Sequence, residues 1–480
     1  MKALILAGSL SLFSLPVWAN FDFFSAKAPN FEVPEIGKGV GLLDQQNEKK
    51  IGEKVYREIH QQLPVLKNPW LEDQLATIFT QILSQANLGQ PVGLLLINDP
   101  QINAFAVPGG LFALNTGLIT NASNLDEVVG VMAHEVAHVS QRHYTRSQEA
   151  FKGQGLLALA GIVAGALLAT QTDGNAGAAV MMGSQAALMG QQLTYSRNQE
   201  READRIGMQY MYTAGYNPQS MADFFEVMHR KTSSVSWLPD FWLTHPLTAE
   251  RMSEARLRAN QFAVKKQLTP QQEFEILKWY SAVLSNDISE QQLSVFANRQ
   301  NLAGQIALAA FYNKQGDYSK AQTILDQIQK QADSHTLITL IQTDVDLNQN
   351  HLDQALAHIL PAARIMPENR ALNYKLAEVY IRQKQPQKAQ QIVQHFTKKN
   401  PTDISGWSLL QQAANVDVNN PMRAANVLRY RAEAQFWAGQ EQEGIKSLLQ
   451  AKRESQNDQV LTASIKKRLD QMQADYKLKL

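Results

Sequence analysis

The chain has no cysteine. That excludes a disulfide framework and a lipid-bearing cysteine behind an export signal. It also lacks an excess of either charge, with 45 Lys and Arg against 44 Asp and Glu. So close a balance argues against nucleic acid as the main partner, and no polybasic arm stands out. Long apolar runs are missing too: GLLALAGIVAGALLA, at 155–169, has 15 residues, short of the roughly 20 that a spanning helix needs. What is present is 480 residues, enough for two or three domains, each with its own core.

The N-terminal stretch MKALILAGSLSLFSLPVWAN has a charged start at Lys2, an apolar segment over 3–13 and small-residue cleavage chemistry at Val17-Trp18-Ala19. The pattern predicts a cleavable signal peptide over 1–19 rather than a membrane anchor, with the mature chain starting at Asn20. For an exported chain without cysteine, the periplasm of a Gram-negative bacterium is the expected location. Residues 20–44, dotted with Pro and Gly, are expected to be a flexible lead-in.

Helical spacing of apolar residues covers 45–62 and 69–85. VGLLLIN at 92–98 is bounded by Pro91 and by Asp99-Pro100 and predicts a buried strand. NAFAVPGGLFALNTGL at 103–118 predicts two short strands around a Pro108-Gly109-Gly110 turn. Helices are expected over 121–142, 198–214, 218–231 and 248–262, and almost continuously from about 270. The segment 153–190 carries one charge, Asp173. It predicts a buried or cleft-covering helical hairpin, the other reading being a patch that makes peripheral contact with membrane or with an unfolded client.

A period runs through the C-terminal part. Ala321, Ala355 and Ala389 are 34 residues apart, as are Pro367 and Pro401. A 34-residue helix-turn-helix period with a small residue at the close helix contact resembles tetratricopeptide repeats. A degenerate unit follows, in which Gly444 takes the small position. Such arrays present a concave surface to peptides or partner proteins.

The strongest chemical signal is MAHEVAHVSQRH at 132–143. His134 and His138, four apart on a predicted helix, project from one face. Neutral imidazoles so placed both reach one Zn²⁺ at about 2.0–2.1 Å. Glu135 faces the water at that metal, where it can take a proton and pass it to a leaving amine. The flanks are strongly apolar, and burying two His and a Glu there is costly without a partner. A metal supplies that partner. His143, five past His138, is off this face and reads as structural.

A catalytic zinc needs a third protein ligand. In SRNQEREADRIGMQY, Glu200 and Asp204 are four apart on a predicted helix and share a face. One carboxylate can bind the metal while the other accepts an N–H from a ligating imidazole. Alternatively, both are solvated at the positive end of the helix. Glu202 points elsewhere. His60, His229, His335, His351, His358 and His395 lack any partner pattern and read as surface residues.

HExxH followed by ExxxD, with NAFAVPGG ahead and THPLTAER behind, resembles the M48 family of zinc metallopeptidases. The resemblance implies an α+β zincin-like metallopeptidase domain over 45–265, mostly helical with a small sheet. An all-α tetratricopeptide-repeat domain is expected over 266–480. It implies one Zn²⁺ per chain, Glu200 as third ligand and Asp204 as the partner of a ligand. His245 then either fills the open coordination position and holds the enzyme off, or stabilises the oxyanion. Arg251 pairs with Glu200 or Asp204, or polarises the substrate carbonyl. Asn103, Ala104 and Phe105 begin a candidate edge strand on which extended substrate can pair. Export signal, peptidase and repeats together resemble family members whose partners are unfolded or stalled outer-membrane β-barrel proteins and the barrel-assembly machinery. The competing expectation is a repeat-based chaperone or adaptor with a silenced peptidase domain.

Overall fold

The computed structural model describes residues 45–143, 197–233, 245–264 and 269–478, apart from 87, 89–90, 108, 299–300 and 330–334 within those ranges, and also Arg146. The expected signal peptide, the lead-in and the 153–190 segment lie outside the described residues.

Two helices open the chain, α1 (Gln45–Gln62) and α2 (Pro69–Leu83). Asn68 caps α2 by accepting from Leu71 N at 3.0 Å, and Pro69 fits the first turn, where no N–H is needed. A three-stranded sheet follows: β1 (Gly93–Ile97), β2 (Ala104–Val107) and β3 (Leu111–Asn115) in the order β1-β3-β2. β1 runs parallel to β3, and β2 pairs antiparallel to β3 from Ala104↔Leu114 to Val107↔Leu111. The expected turn between β2 and β3 contains Gly109 and Gly110 at φ 88° and 74°, backbone that only glycine adopts without strain.

The second expected strand stops short of 118. Residues Thr116–Asn121 form a short helix, α3. Gly117 N donates to Asp99 O at 2.8 Å, and a Cβ at Gly117 would lie 2.1 Å from Pro100 O. The chain turns helical as it presses on that loop.

Helix α4 (Leu125–Ser140) is buried over almost its whole length and packs on β2, α2 and two further helices, α5 (Arg197–Thr213) and α6 (Gln219–Ser233). Asn124 caps it, accepting from Glu127 N at 3.1 Å. Helix α7 (Ala249–Ala259), capped by Thr248, packs on α5 and α6. No helix among the described residues is long and apolar enough to cross a membrane.

Between Gln271 and Tyr476 the described elements are all helices. After α8 (Gln271–Ser285) and α9 (Glu290–Ala297) come antiparallel pairs: α10 (Leu302–Gln315) with α11 (Tyr318–Gln329), α12 (Thr336–Asn348) with α13 (Leu352–Ile365), α14 (Arg370–Arg382) with α15 (Pro386–Lys399), α16 (Ile404–Val416) with α17 (Arg423–Trp437), and α18 (Glu441–Glu454) with α19 (Gln459–Tyr476). Ala321, Ala355 and Ala389 sit in the second helix of three successive pairs, each fully buried. Gly444 is a small position of the same kind: a Cβ there would lie 2.8 Å from Ala432 O.

The last helices return to the first. Ile51, Val55 and Ile59 of α1, Leu95 and Ile97 of β1, and Val107 and Leu111 of the hairpin share one apolar core with Phe436, Trp437, Leu448, Ile465 and Met472. Ion pairs also tie the first two helices to the later ones, buried at Glu441 and half-buried at Arg370. Glu441 accepts from Lys54 Nζ and Arg57 Nε, each at 2.6 Å. Arg370 reaches Glu72 at 2.6 Å and Asp73 at 2.9 Å, both on α2.

Candidate metal centre

Three pieces of chain converge on one point. Helix α4 brings His134, Glu135 and His138. Helix α5 crosses it closely because Gly207 has no side chain: a Cβ there would lie 3.1 Å from Ala133 C and His134 N. That crossing turns Glu200 and Asp204 toward the two histidines. The segment entering α7 adds His245 and Arg251. All seven side chains are buried, none more than 4 % exposed.

His134 Nε2 lies 3.0 Å from His138 Nε2 and 3.3 Å from His245 Nδ1. Glu200 oxygens stand 3.4 Å from His134 Nε2, 3.4 Å from His138 Nε2 and 3.1 Å from His245 Nδ1. These four groups offer donor atoms that all lie within 4.8 Å of one another. Ligand atoms about 2.0–2.1 Å from a tetrahedral zinc ion stand roughly 3.3 Å apart, so the observed separations fit such an ion. The donor set agrees. Imidazole lone pairs and a carboxylate aimed at one point repel unless a cation lies between them. Three buried carboxylates also face a single guanidinium.

The electrostatics of the cluster are set by burial and by these charged neighbours. Burial holds His138 well below the usual histidine value, which keeps it neutral. At His134 burial opposes the charge, but Asp204 and Glu200 outweigh it and lift the pKa to about 9. Burial also works against the charge of Glu200, yet His245 and Arg251 hold it well below the carboxylate range. Glu135 is raised by burial. Among the described residues neither of its oxygens accepts a hydrogen bond, and Oε1 stands 3.3 Å from His245 Nε2. His245 therefore faces the donor cluster with one ring nitrogen and Glu135 with the other.

Arg251 ties the centre together. Its Nε and Nη2 donate to Asp204 at 2.6 and 2.8 Å, Nη1 lies 2.7 Å from Glu200 Oε2, and the same nitrogen donates to the carbonyls of His245 and Pro246 at 3.4 and 3.3 Å. Of the expectations for Arg251 the pairing is what the geometry gives, with both carboxylates at once. Its Nε, Nη1 and Nη2 all meet groups of the protein. Asp204 Oδ1 in turn lies 2.9 Å from His134 Nδ1.

Asn103 and the start of β2 lie at the sheet edge, next to α4. Asn103, Ala104 and Phe105 are buried, and Asn103 O accepts from Asn115 N at 2.9 Å.

Two residues read as lying off the ligand face, His143 and Glu202, stand directly behind His138. His143 is fully buried, with Nδ1 2.9 Å from His138 Nδ1 and Nε2 3.1 Å from Glu202 Oε2. Helix α4 ends at Ser140, and Arg142 adopts φ 53°, which folds His143 back beneath the helix. Helical spacing put His143 off the ligand face, and it gives no sign of that left-handed residue. Of the histidines read as surface residues, His60 is half-buried, its ring tilted 39° against Tyr56 with centroids 4.4 Å apart, and the ring of His335 accepts from Leu337 N at the start of α12.

The chain matches peptidase family M48 over residues 66–259 and a tetratricopeptide repeat over 347–413. It is 31 % identical to the beta-barrel assembly-enhancing protease of Yersinia pestis, covering 79 % of this chain and 80 % of that protein. It is 29 % identical to the protein of the same name from Escherichia coli (strain K12), covering 92 % of this chain and 91 % of that one.

Proposed function

This chain belongs to peptidase family M48, and on that premise we propose a zinc endopeptidase of outer-membrane β-barrel assembly whose metal centre is latched by His245. One zinc ion would be held by His134, His138 and Glu200, with His245 as a fourth donor. When bound, it supplies a Lewis acid that polarises a scissile carbonyl and acidifies water. Asp204 orients His134. Arg251 holds Asp204, Glu200 and the His245 backbone in register. Glu135 takes a proton from the attacking water and returns it to the leaving amine. Its raised pKa suits that exchange. Extended substrate pairs along β2, beside α4.

The observation that carries the latch is the double engagement of His245, with Nδ1 3.1 Å from Glu200 and Nε2 3.3 Å from Glu135. One ring thus covers the open coordination position and the base together. Such an enzyme is silent until a client draws the loop away, which suits one that assists barrel assembly and degrades stalled barrels. The repeat array recognises clients or docks on the assembly machinery. The export signal expected from the sequence suits work in the periplasm, where those clients pass.

Metal analysis of the mature protein should return one zinc per chain. On an unfolded β-barrel protein, Glu135→Gln should lower cleavage by at least about 100-fold while zinc stays bound. Equal cleavage by wild type and variant, or no zinc, would favour the adaptor reading.

A further inference from the structure

We propose that His143 and Glu202 form a relay that fixes His138 in the one tautomer able to bind metal. The proposal rests on the zinc reading of the site and adds two residues to it.

The two histidines of α4 face the same problem. Each must present a lone pair on Nε2, so each must carry its proton on Nδ1. For His134 the partner of that proton is direct, because Asp204 Oδ1 lies 2.9 Å from Nδ1. For His138 the facing atom is His143 Nδ1, at 2.9 Å. Between two such nitrogens one must donate and the other accept. If His138 donates, His143 must be protonated on Nε2, and that atom meets Glu202 Oε2 at 3.1 Å. Every proton then has a place: Glu202 accepts from His143 Nε2, His143 Nδ1 accepts from His138 Nδ1, and His138 Nε2 is left bare toward Glu200. The reverse assignment puts a proton on His138 Nε2, facing His134 Nε2 at 3.0 Å, and abolishes metal binding there.

Glu202 is kept as the acceptor. Arg146 Nη1 donates to the same Oε2 at 3.0 Å. Gln199 Nε2 donates to the His143 carbonyl at 3.2 Å, which fixes the backbone of the relay to α5. Glu200, Glu202 and Asp204 alternate along α5, so one helix start supplies a metal donor and the carboxylate behind each histidine. Partners behind metal-ligating histidines set tautomer and basicity, and losing one typically costs about 10- to 100-fold in metal affinity.

The test uses the full mature chain. Zinc affinity is measured by competition with a chromogenic chelator, and circular dichroism of the metal-free proteins verifies folding. His143→Leu should bind zinc about 10- to 100-fold more weakly. His143→Asn, whose Oδ1 stands where Nδ1 accepts, should recover most of the loss. Glu202→Ala changes a side chain that is 22 % exposed, so it keeps the test decisive should His143→Leu fail to fold; it should weaken binding several-fold. A folded His143→Leu that binds like wild type, equal losses for Leu and Asn, or an unchanged Glu202→Ala would each overturn the relay. A wild-type protein that binds no zinc would overturn the zinc reading itself.

Discussion

At the scale of residues, the centre is a set of charges that tolerate burial only together. Asp204 shows this best. Burial would raise its pKa, yet Arg251 and His134 hold it below the ordinary value. A carboxylate depressed in the folded state contributes stability above its unfolded value of about 3.9, and the contribution is lost as pH falls through the lower folded value. It is therefore fully present at neutral pH. Asp204→Asn leaves a buried guanidinium half-answered and His134 without its carboxylate. Chemical denaturation of the metal-free protein should show a loss of about 3 kcal/mol, and zinc affinity should fall about 10- to 100-fold. An unchanged midpoint would mean that Glu200 alone satisfies Arg251. Much of this site was legible in the sequence because it rests on short spacings, His134 to His138 and Glu200 to Asp204. The His143–Glu202 contact was not, since it depends on one left-handed residue at Arg142 and on the crossing of α4 and α5.

At the scale of elements, that crossing is the critical contact. It needs a residue without a side chain at 207, where even a Cβ meets the α4 backbone at 3.1 Å. Gly207→Val adds a Cβ bearing two methyl groups there and must push the helices apart. Overpacking of this kind costs about 1–3 kcal/mol, and the same shift moves Glu200 off the histidines. Thermal melts should fall, and the competition titration should show weakened zinc binding. A variant that melts lower yet binds zinc normally would mean that the donors follow α4 and not the crossing. The elements themselves were largely readable: α1 spans the expected 45–62, and the 34-residue spacing of buried alanines marked the repeat pairs. The short helix α3 was not, because the apolar pattern of 111–118 continues while the backbone changes under pressure from the Asp99–Gln101 loop.

At the scale of the molecule, the first described helix meets the last ones. One apolar core runs from α1 and the sheet into α17, α18 and α19. Tyr56 Oη donates to Thr402 O at 3.1 Å, and a Cβ at Gly439 would meet Arg57 O at 2.2 Å. No local pattern announces contacts between residues more than 340 positions apart, so this part of the fold could not be read in advance. It seats the last helices of the repeat region on the sheet whose edge strand flanks the centre. We therefore expect client binding on the repeats and release of the latch to be separable events, with the latch itself local to His245. The most direct test is the rate at which purified His245→Ala cleaves an unfolded β-barrel protein, set against wild type at equal zinc content. The account predicts a rate higher by about 10-fold or more, the scale set by freeing a competent state now populated at a tenth or less. An unchanged or lower rate, with zinc still bound, would contradict it.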